Sequence, residues 1–111
     1  MDSIYYIYIM KCAGDRLYTG YTSDPKKRFN EHRSGKGGAK FTRGFTPVSI
    51  EGLWEITGTK GDAMKIEAFI KSMKKADKIQ LIEKPSSLLD LISERFTRIE
   101  LRVSEKISLS P

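Results

Sequence analysis

The stretch Ile4-Tyr5-Tyr6-Ile7-Tyr8-Ile9-Met10, followed after a short polar break by Leu17-Tyr18-Thr19-Gly20-Tyr21, decides how the rest of the chain must fold. The first run is aromatic or aliphatic almost throughout and lacks polar alternation, the pattern of a strand covered on both faces. It is therefore read as the central strand. Ala13, Gly14 and Asp15 supply turn chemistry between the two runs, so they pair as an antiparallel hairpin. Gly20 interrupts the second run, and a glycine inside a strand marks either a bulge or the close approach of another group to the backbone.

Working outward, Asp24-Pro25 is a helix start: Asp24 can accept from orphan amides, and Pro25 suits the first helical position. The helix is predicted to run to about Ser34, with Gly35 ending it. Gly35 to Lys40 then reads as a flexible basic loop, and Val48, Ile50, Leu53, Trp54 and Ile56 as a third strand with an irregularity at Gly52. Asp62 is expected to cap a helix from Ala63 to about Lys74, whose Ile66, Phe69, Ile70 and Met73 follow the i, i+3, i+4, i+7 rule. A shorter helix over Lys75 to Lys84 is expected to bury Ile79 and Ile82 before Pro85 ends it. The predicted architecture is α/β of the α+β type, a three-stranded antiparallel sheet flanked by helices in the order β-β-α-β-α-α. Residues 1–85 form the domain, and 86–111, with a Leu88, Leu89, Leu91, Ile92 cluster, form a C-terminal appendage without an assigned role.

A chain of 111 residues is too short for two cores, which excludes a multidomain enzyme. No stretch approaches the roughly 18 uncharged apolar residues of a membrane span, and no signal peptide opens the sequence. With a single cysteine, Cys12, there is no internal disulfide, and the chain reads as cytoplasmic. The net charge of +6 is localised: residues 1–45 carry nine basic and four acidic side chains, residues 46–85 seven and six, and residues 86–111 four and four. Lys26, Lys27, Arg33, Lys36, Lys40 and Arg43 cluster in the first helix and the loop after it, a density suited to a polyanion such as nucleic acid. Taken alone, such a run is more often a solvated surface.

Tyr6-Ile7-Tyr8 on the first strand, Tyr18-Thr19-Gly20 on the second, Arg28 and His32 on the first helix and Glu67 on the later helix together resemble the GIY-YIG nuclease superfamily, over about residues 4–84. The likeness is strongest to its small stand-alone members. Tyr6 stands where the family has glycine and Thr19 where it has isoleucine. The resemblance implies a metal-dependent endonuclease hydrolysing phosphodiester bonds in DNA, structure-directed in repair or recombination. It also implies site residues Tyr8, Tyr18, Arg28, His32 and Glu67, motif glycine Gly20, and one Mg2+ (or Mn2+) ion held by Glu67.

The chemistry suits those residue types. Phosphodiester hydrolysis needs an activated water, charge stabilisation and help for the leaving oxygen. The resemblance gives Tyr8 the role of general base, but a phenol of pKa ~10 is protonated at neutral pH unless positive charge or hydrogen bonds lower it. Arg28 offers a planar donor fork for phosphate, and His32, one helical turn on, shares its face. Each residue also has an ordinary reading: Arg28 can pair with Glu31 at i, i+3, Glu67 with Lys71 at i, i+4, and Tyr5, Tyr6 and Tyr21 are strand-forming bulk. The rival function is a non-catalytic nucleic-acid-binding module with the same fold, favoured because the family often has an asparagine after the glutamate helix and this chain has none beyond Asn30. A third reading is a nuclease subunit whose protein partner supplies specificity.

Overall fold

The structure, a computed structural model, describes residues 3–34, 47–96 and 99–104, and the side chains of all of these except 32–34 and 47. Strands β1 (Ser3–Cys12) and β2 (Arg16–Thr22) form the expected hairpin, with Cys12 opposite Arg16 and Tyr8 opposite Gly20. Helix α1 (Pro25–Ser34) starts where Asp24-Pro25 places it, the Lys27 amide donating to Asp24 Oδ1 at 3.2 Å. Strand β3 (Pro47–Gly58) lies on the other side of β1, so β1 is internal as its two-sided apolar character requires.

The sheet has four strands, not three, in the order β2-β1-β3-β4, all antiparallel. The fourth, β4 (Glu100–Val103), comes from the segment read as an appendage and pairs with β3, placing Arg102 opposite Glu55, with which it forms an ion pair. Four residues with two charges give too little alternation to distinguish a strand from a solvated loop. Before it, helix α4 (Ser87–Arg95) delivers Leu88 and Ile92 into the core.

Two apolar clusters sit on opposite faces of the sheet. On one face Ile7, Ile9, Trp54 and Ile56 pack with Ala63, Ile66 and Ile70 of α2 (Lys60–Lys71), Leu81 of α3 (Lys75–Glu83) and the two α4 residues. On the other, Tyr8, Met10, Cys12, Ile50 and Leu53 pack with Phe29 of α1. Strict alternation would put Ile50 on the face of Trp54. The register shifts between Ile9, opposite Gly52, and Met10, opposite Ile50, and this bulge at Glu51 returns Ile50 to the face of Leu53. The buried Trp54 indole donates from Nε1 to the Pro85 carbonyl at 3.0 Å, fixing the α3–α4 connection to the sheet.

Three helix details depart from expectation. Helix α2 begins at Lys60 because Thr59, not Asp62, is its N-cap: Thr59 Oγ1 accepts from the Asp62 amide, and the Asp62 carboxylate accepts from the Thr59 amide, a reciprocal capping box. It ends at Lys71, where Ser72 caps it and its hydroxyl donates to the Phe69 carbonyl. In α3 Leu81 is the buried residue, Ile82 only packs at the margin, and Ile79 is exposed, since the helix touches the sheet along a narrower face than the sequence periodicity suggested. None of the described helices is long and apolar enough to cross a membrane.

One buried polar atom is unsatisfied among the described residues, Thr19 Oγ1 on β2. A hydroxyl desolvated without a partner costs about 1–3 kcal/mol, and valine has nearly the same shape. Thr19→Val is therefore expected to raise stability by about 1 kcal/mol, read as a higher urea midpoint at unchanged slope. A lower midpoint would mean that the hydroxyl is paired in solution.

Candidate active site

The hairpin and α1 bring three of the sequence-derived residues together. Tyr8 is almost fully buried in the centre of the sheet, with its ring edge-on to Phe29 at 5.1 Å between centroids and tilted against Tyr18 at 6.1 Å. Tyr18 reaches this position because it lies two residues from Gly20 on β2, so both face the Tyr8 side of the sheet. Gly20 shows why no other residue fits: a Cβ there would lie 2.5 Å from the Tyr8 hydroxyl oxygen. The register is unbroken at this position, so of the two sequence readings for Gly20 the close approach is the one realised. Phe29 is a part of the site that the sequence reading passed over; its signal was being the one large apolar side chain on an otherwise polar helix.

Arg28 is half-buried beside these rings. Its guanidinium hydrogen-bonds both Tyr8 and Tyr18, and Nη1 also donates to Glu31 Oε1 at 3.2 Å. Burial works against its charge, but the bonds to Tyr8, Glu31 and Tyr18 outweigh that and hold Arg28 firmly protonated. The ordinary i, i+3 pair and the site contact therefore coexist. The same is true of Glu67 on α2. Its carboxylate pairs with Lys71 at 3.3 Å, with a fifth of the side chain exposed, yet it is also near enough to Tyr8 for its charge to act on the phenol.

The electrostatic balance at Tyr8 differs from the expectation that the site lowers its pKa. Burial of the phenol is the largest influence and raises it, and the neighbouring Tyr18 and Glu67 add to that. Arg28 acts in the opposite direction by hydrogen bond and charge, without overcoming burial. Tyr8 is thus a neutral phenol at pH 7, above the ordinary tyrosine value. Burial likewise raises the Cys12 thiol, consistent with a core role for that residue.

Of the remaining candidates, Lys26 and Lys27 are exposed on the first turn of α1. His32 and Arg33 lie on the last turn of α1, with side chains outside the described set, and Lys36, Lys40 and Arg43 lie outside the described residues. Among the described residues no three His, Cys, Asp or Glu side chains cluster. Glu67, whose charge acts on Tyr8, is a carboxylate that could serve as a hard oxygen ligand to a cation at this group.

The fold and these residues define a class that comparison identifies. Residues 4–80 match the family model described as the GIY-YIG catalytic domain, and the chain belongs to the GIY-YIG family. It is similar to the UPF0213 protein of Syntrophus aciditrophicus (strain SB), 45% identical over 78 residues covering 70% of this chain and 88% of the relative. It is similar also to the UPF0213 protein HQ_3675A of Haloquadratum walsbyi, at 41% identity over 79% of this chain and 97% of the relative. Among solved structures, the solution structure of the UPF0213 protein BH0048 from Bacillus halodurans is 37% identical over 72% of this chain and 83% of its own, with a TM-score of 0.44. Helix α4 and strand β4 lie beyond the matched residues 4–80.

Proposed function

We propose that this protein is a metal-dependent endonuclease that hydrolyses phosphodiester bonds in DNA, selecting branched, damaged or single-stranded structures in repair or recombination. The observation that carries the reading is the convergence of Tyr8, Tyr18 and Arg28, with Glu67 electrostatically coupled to the same phenol. Two ordinary surface pairs would have no reason to meet a buried tyrosine whose neighbour must be glycine. Structure-directed selection follows from size, since one short domain with a basic first helix grips phosphates more readily than it reads base edges.

In this mechanism Arg28 turns its fork from Tyr8 and Tyr18 toward the scissile phosphate and stabilises the charge that develops there. The deprotonated fraction of Tyr8, as phenolate, accepts a proton from the attacking water and becomes the neutral phenol, and Gly20 leaves room for its hydroxyl. His32 supplies a further donor to the phosphate from the next turn of α1. A Mg2+ or Mn2+ ion on Glu67 would polarise a phosphate oxygen and offset the carboxylate charge that raises the Tyr8 phenol.

Because the Tyr8 phenol sits above its ordinary value, cleavage should climb about tenfold per pH unit across the neutral range, without a plateau before about pH 9. Tyr8→Phe keeps the ring packing and should lower the rate by about 100- to 10,000-fold and flatten that climb. The measurement is cleavage of labelled duplex, flap, nicked, branched and single-stranded DNA, with and without magnesium, at several pH values. A pH-independent wild type, or a Tyr8→Phe variant cleaving normally, would reassign the base.

The second reading is a binding module that keeps the fold and cleaves nothing. The ion pairs of Arg28 with Glu31 and Glu67 with Lys71, together with the neutral Tyr8, favour it. Absence of cleavage on every substrate, with salt-sensitive binding retained, is its expected signature.

A further inference from the structure

Helices α2, α3 and α4 do not close fully over one another. Between them a groove of about 510 Å³ stays open, with Phe69 and Met73 of α2 and Leu81 of α3 as its apolar floor. Phe69 and Met73 are half-buried, and Leu91 on the α4 wall keeps 38% of its surface exposed. Asp90, Leu91 and Glu94 stand at helical spacing, so α4 turns one stripe to the groove while Leu88 and Ile92 enter the core. Asp77 stands on the α3 wall.

The rim is acidic. Asp77, Asp90 and Glu94 are exposed, and among the described residues no lysine or arginine lines the groove and no cation lies within ion-pair distance of these carboxylates. Arg95, next in sequence to Glu94, lies instead over the Phe69 ring, 5.0 Å from its centroid. In a chain of net charge +6 this is a local reversal of sign.

That chemistry selects the occupant. Three unpaired carboxylates repel phosphates, so the groove is no part of a nucleic-acid surface. An apolar floor with phenylalanine and methionine under an acidic rim is complementary to an amphipathic helix whose apolar face is flanked by cations. A second copy of this chain does not offer one. Its most basic described helix, α1, has Phe29 as its large apolar side chain, and Phe29 is buried in the protein's own core. The groove also lies apart from the candidate active site. Leu81 belongs to the cluster on the Ile7 and Trp54 face of the sheet, and Phe69 and Met73 pack against it, whereas Tyr8 and Phe29 occupy the other face. On α2, Phe69 is two residues from Glu67, about 200° around the helix, so α2 serves both places without their occupants competing.

We infer that this groove docks a basic amphipathic helix of a protein partner, with apolar anchors over Met73 and Leu91 and cations against Asp77, Asp90 and Glu94. Docking needs no cleavage activity, so it goes beyond the proposed function and stands or falls separately from it. For a nuclease, such a partner supplies the substrate choice that one short domain lacks, and it leaves the Tyr8 face open to DNA.

The probe is a fluorescent helical peptide of about 16 residues, about 24 Å long, with leucines along one face and lysines flanking them. A twin carries glutamate in place of every lysine. By anisotropy the full-length protein should bind the lysine peptide at least about tenfold more tightly than the twin. Amide shifts in labelled protein should fall on residues 69–94. Asp90→Lys/Glu94→Lys, at two exposed positions, should reverse the order of the two peptides, a gain that misfolding cannot produce. Leu91→Ala should weaken the lysine peptide by about fivefold or more. Glu83→Lys/Glu100→Lys makes the same charge change outside the groove and should leave the order as in wild type. Equal affinity for both peptides, shifts confined to other residues, or an equal effect of the Glu83/Glu100 variant would each overturn the assignment. Sedimentation and one further variant decide between occupants. Dimers of wild type that Leu91→Ala dissolves would make the occupant a second copy. Tighter peptide binding by Ile107→Glu/Leu109→Glu would make it the chain's own C-terminal residues. Either result overturns the partner helix and leaves the proposed function standing.

Discussion

Replacing Arg28 with alanine should lower DNA cleavage by about 1,000- to 100,000-fold while leaving the protein folded. The magnitude follows from what the guanidinium is asked to do: one positioned donor to a developing oxyanion is worth about 100- to 1,000-fold, and an arginine on a transferring phosphoryl group about 1,000- to 100,000-fold. Folding should survive because α1 is started by Asp24 and held by Phe29, neither of which needs Arg28. Its pair with Glu31 is a half-exposed surface contact of small value. Arg28→Lys keeps the charge and loses the fork that reaches Tyr8 and Tyr18 together, so it should fall between wild type and alanine. A second signature accompanies the rate. Arg28 is the positive group acting against burial at Tyr8, so without it the phenol rises further and the climb of rate with pH moves to higher pH. Cleavage by Arg28→Ala within tenfold of wild type would remove Arg28 from the reaction and leave it as the surface partner of Glu31.

Glu67→Gln should abolish magnesium-dependent cleavage, and the sign of its effect discriminates between two roles. The Glu67 carboxylate raises the Tyr8 phenol. If that were its whole influence, removing the charge would bring the phenol down and make cleavage faster at neutral pH. If Glu67 holds the metal, glutamine removes the charge the cation requires, and cleavage disappears despite the easier deprotonation of Tyr8. Stability should change little, since Glu67 lies beside the buried Ile66 and Ile70 stripe and its partner Lys71 is half exposed. DNA binding without metal should be unchanged or slightly tighter, because a negative charge is gone. Cleavage, magnesium titration, thermal midpoint and anisotropy on the same two proteins separate these outcomes. Faster cleavage in the variant would move the metal elsewhere and recast Glu67 as a modulator of Tyr8.

The legibility of this chain was uneven, for reasons that can be traced residue by residue. The hairpin, the start of α1 at Asp24-Pro25 and the irregularity at Gly52 were readable because each is written in local chemistry: unbroken apolar runs, a capping pair, a glycine in a strand. The start of α2 was misplaced because Thr59 and Asp62 both carry capping side chains and only the backbone conformation at Thr59 selects the N-cap. Strand β4 was missed because its stability comes from pairing with β3, including Glu55 with Arg102, 47 positions away.

By itself, the sequence determined the family, the central strand, and which residue types could bind phosphate and hold a cation, since these depend on identity and short spacing. The tertiary structure decided the rest. It determined that Tyr8 is neutral and raised, because desolvation depends on what packs around the ring and not on neighbours in the chain. It gave Gly20 its specific duty, the clearance of a hydroxyl on the partner strand. It joined Asp15 to Lys75 across 60 positions, a contact that no local pattern announces. Local propensity is short-ranged and legible in order along the chain; burial, fields and cleft shape are sums over residues that only folding brings together.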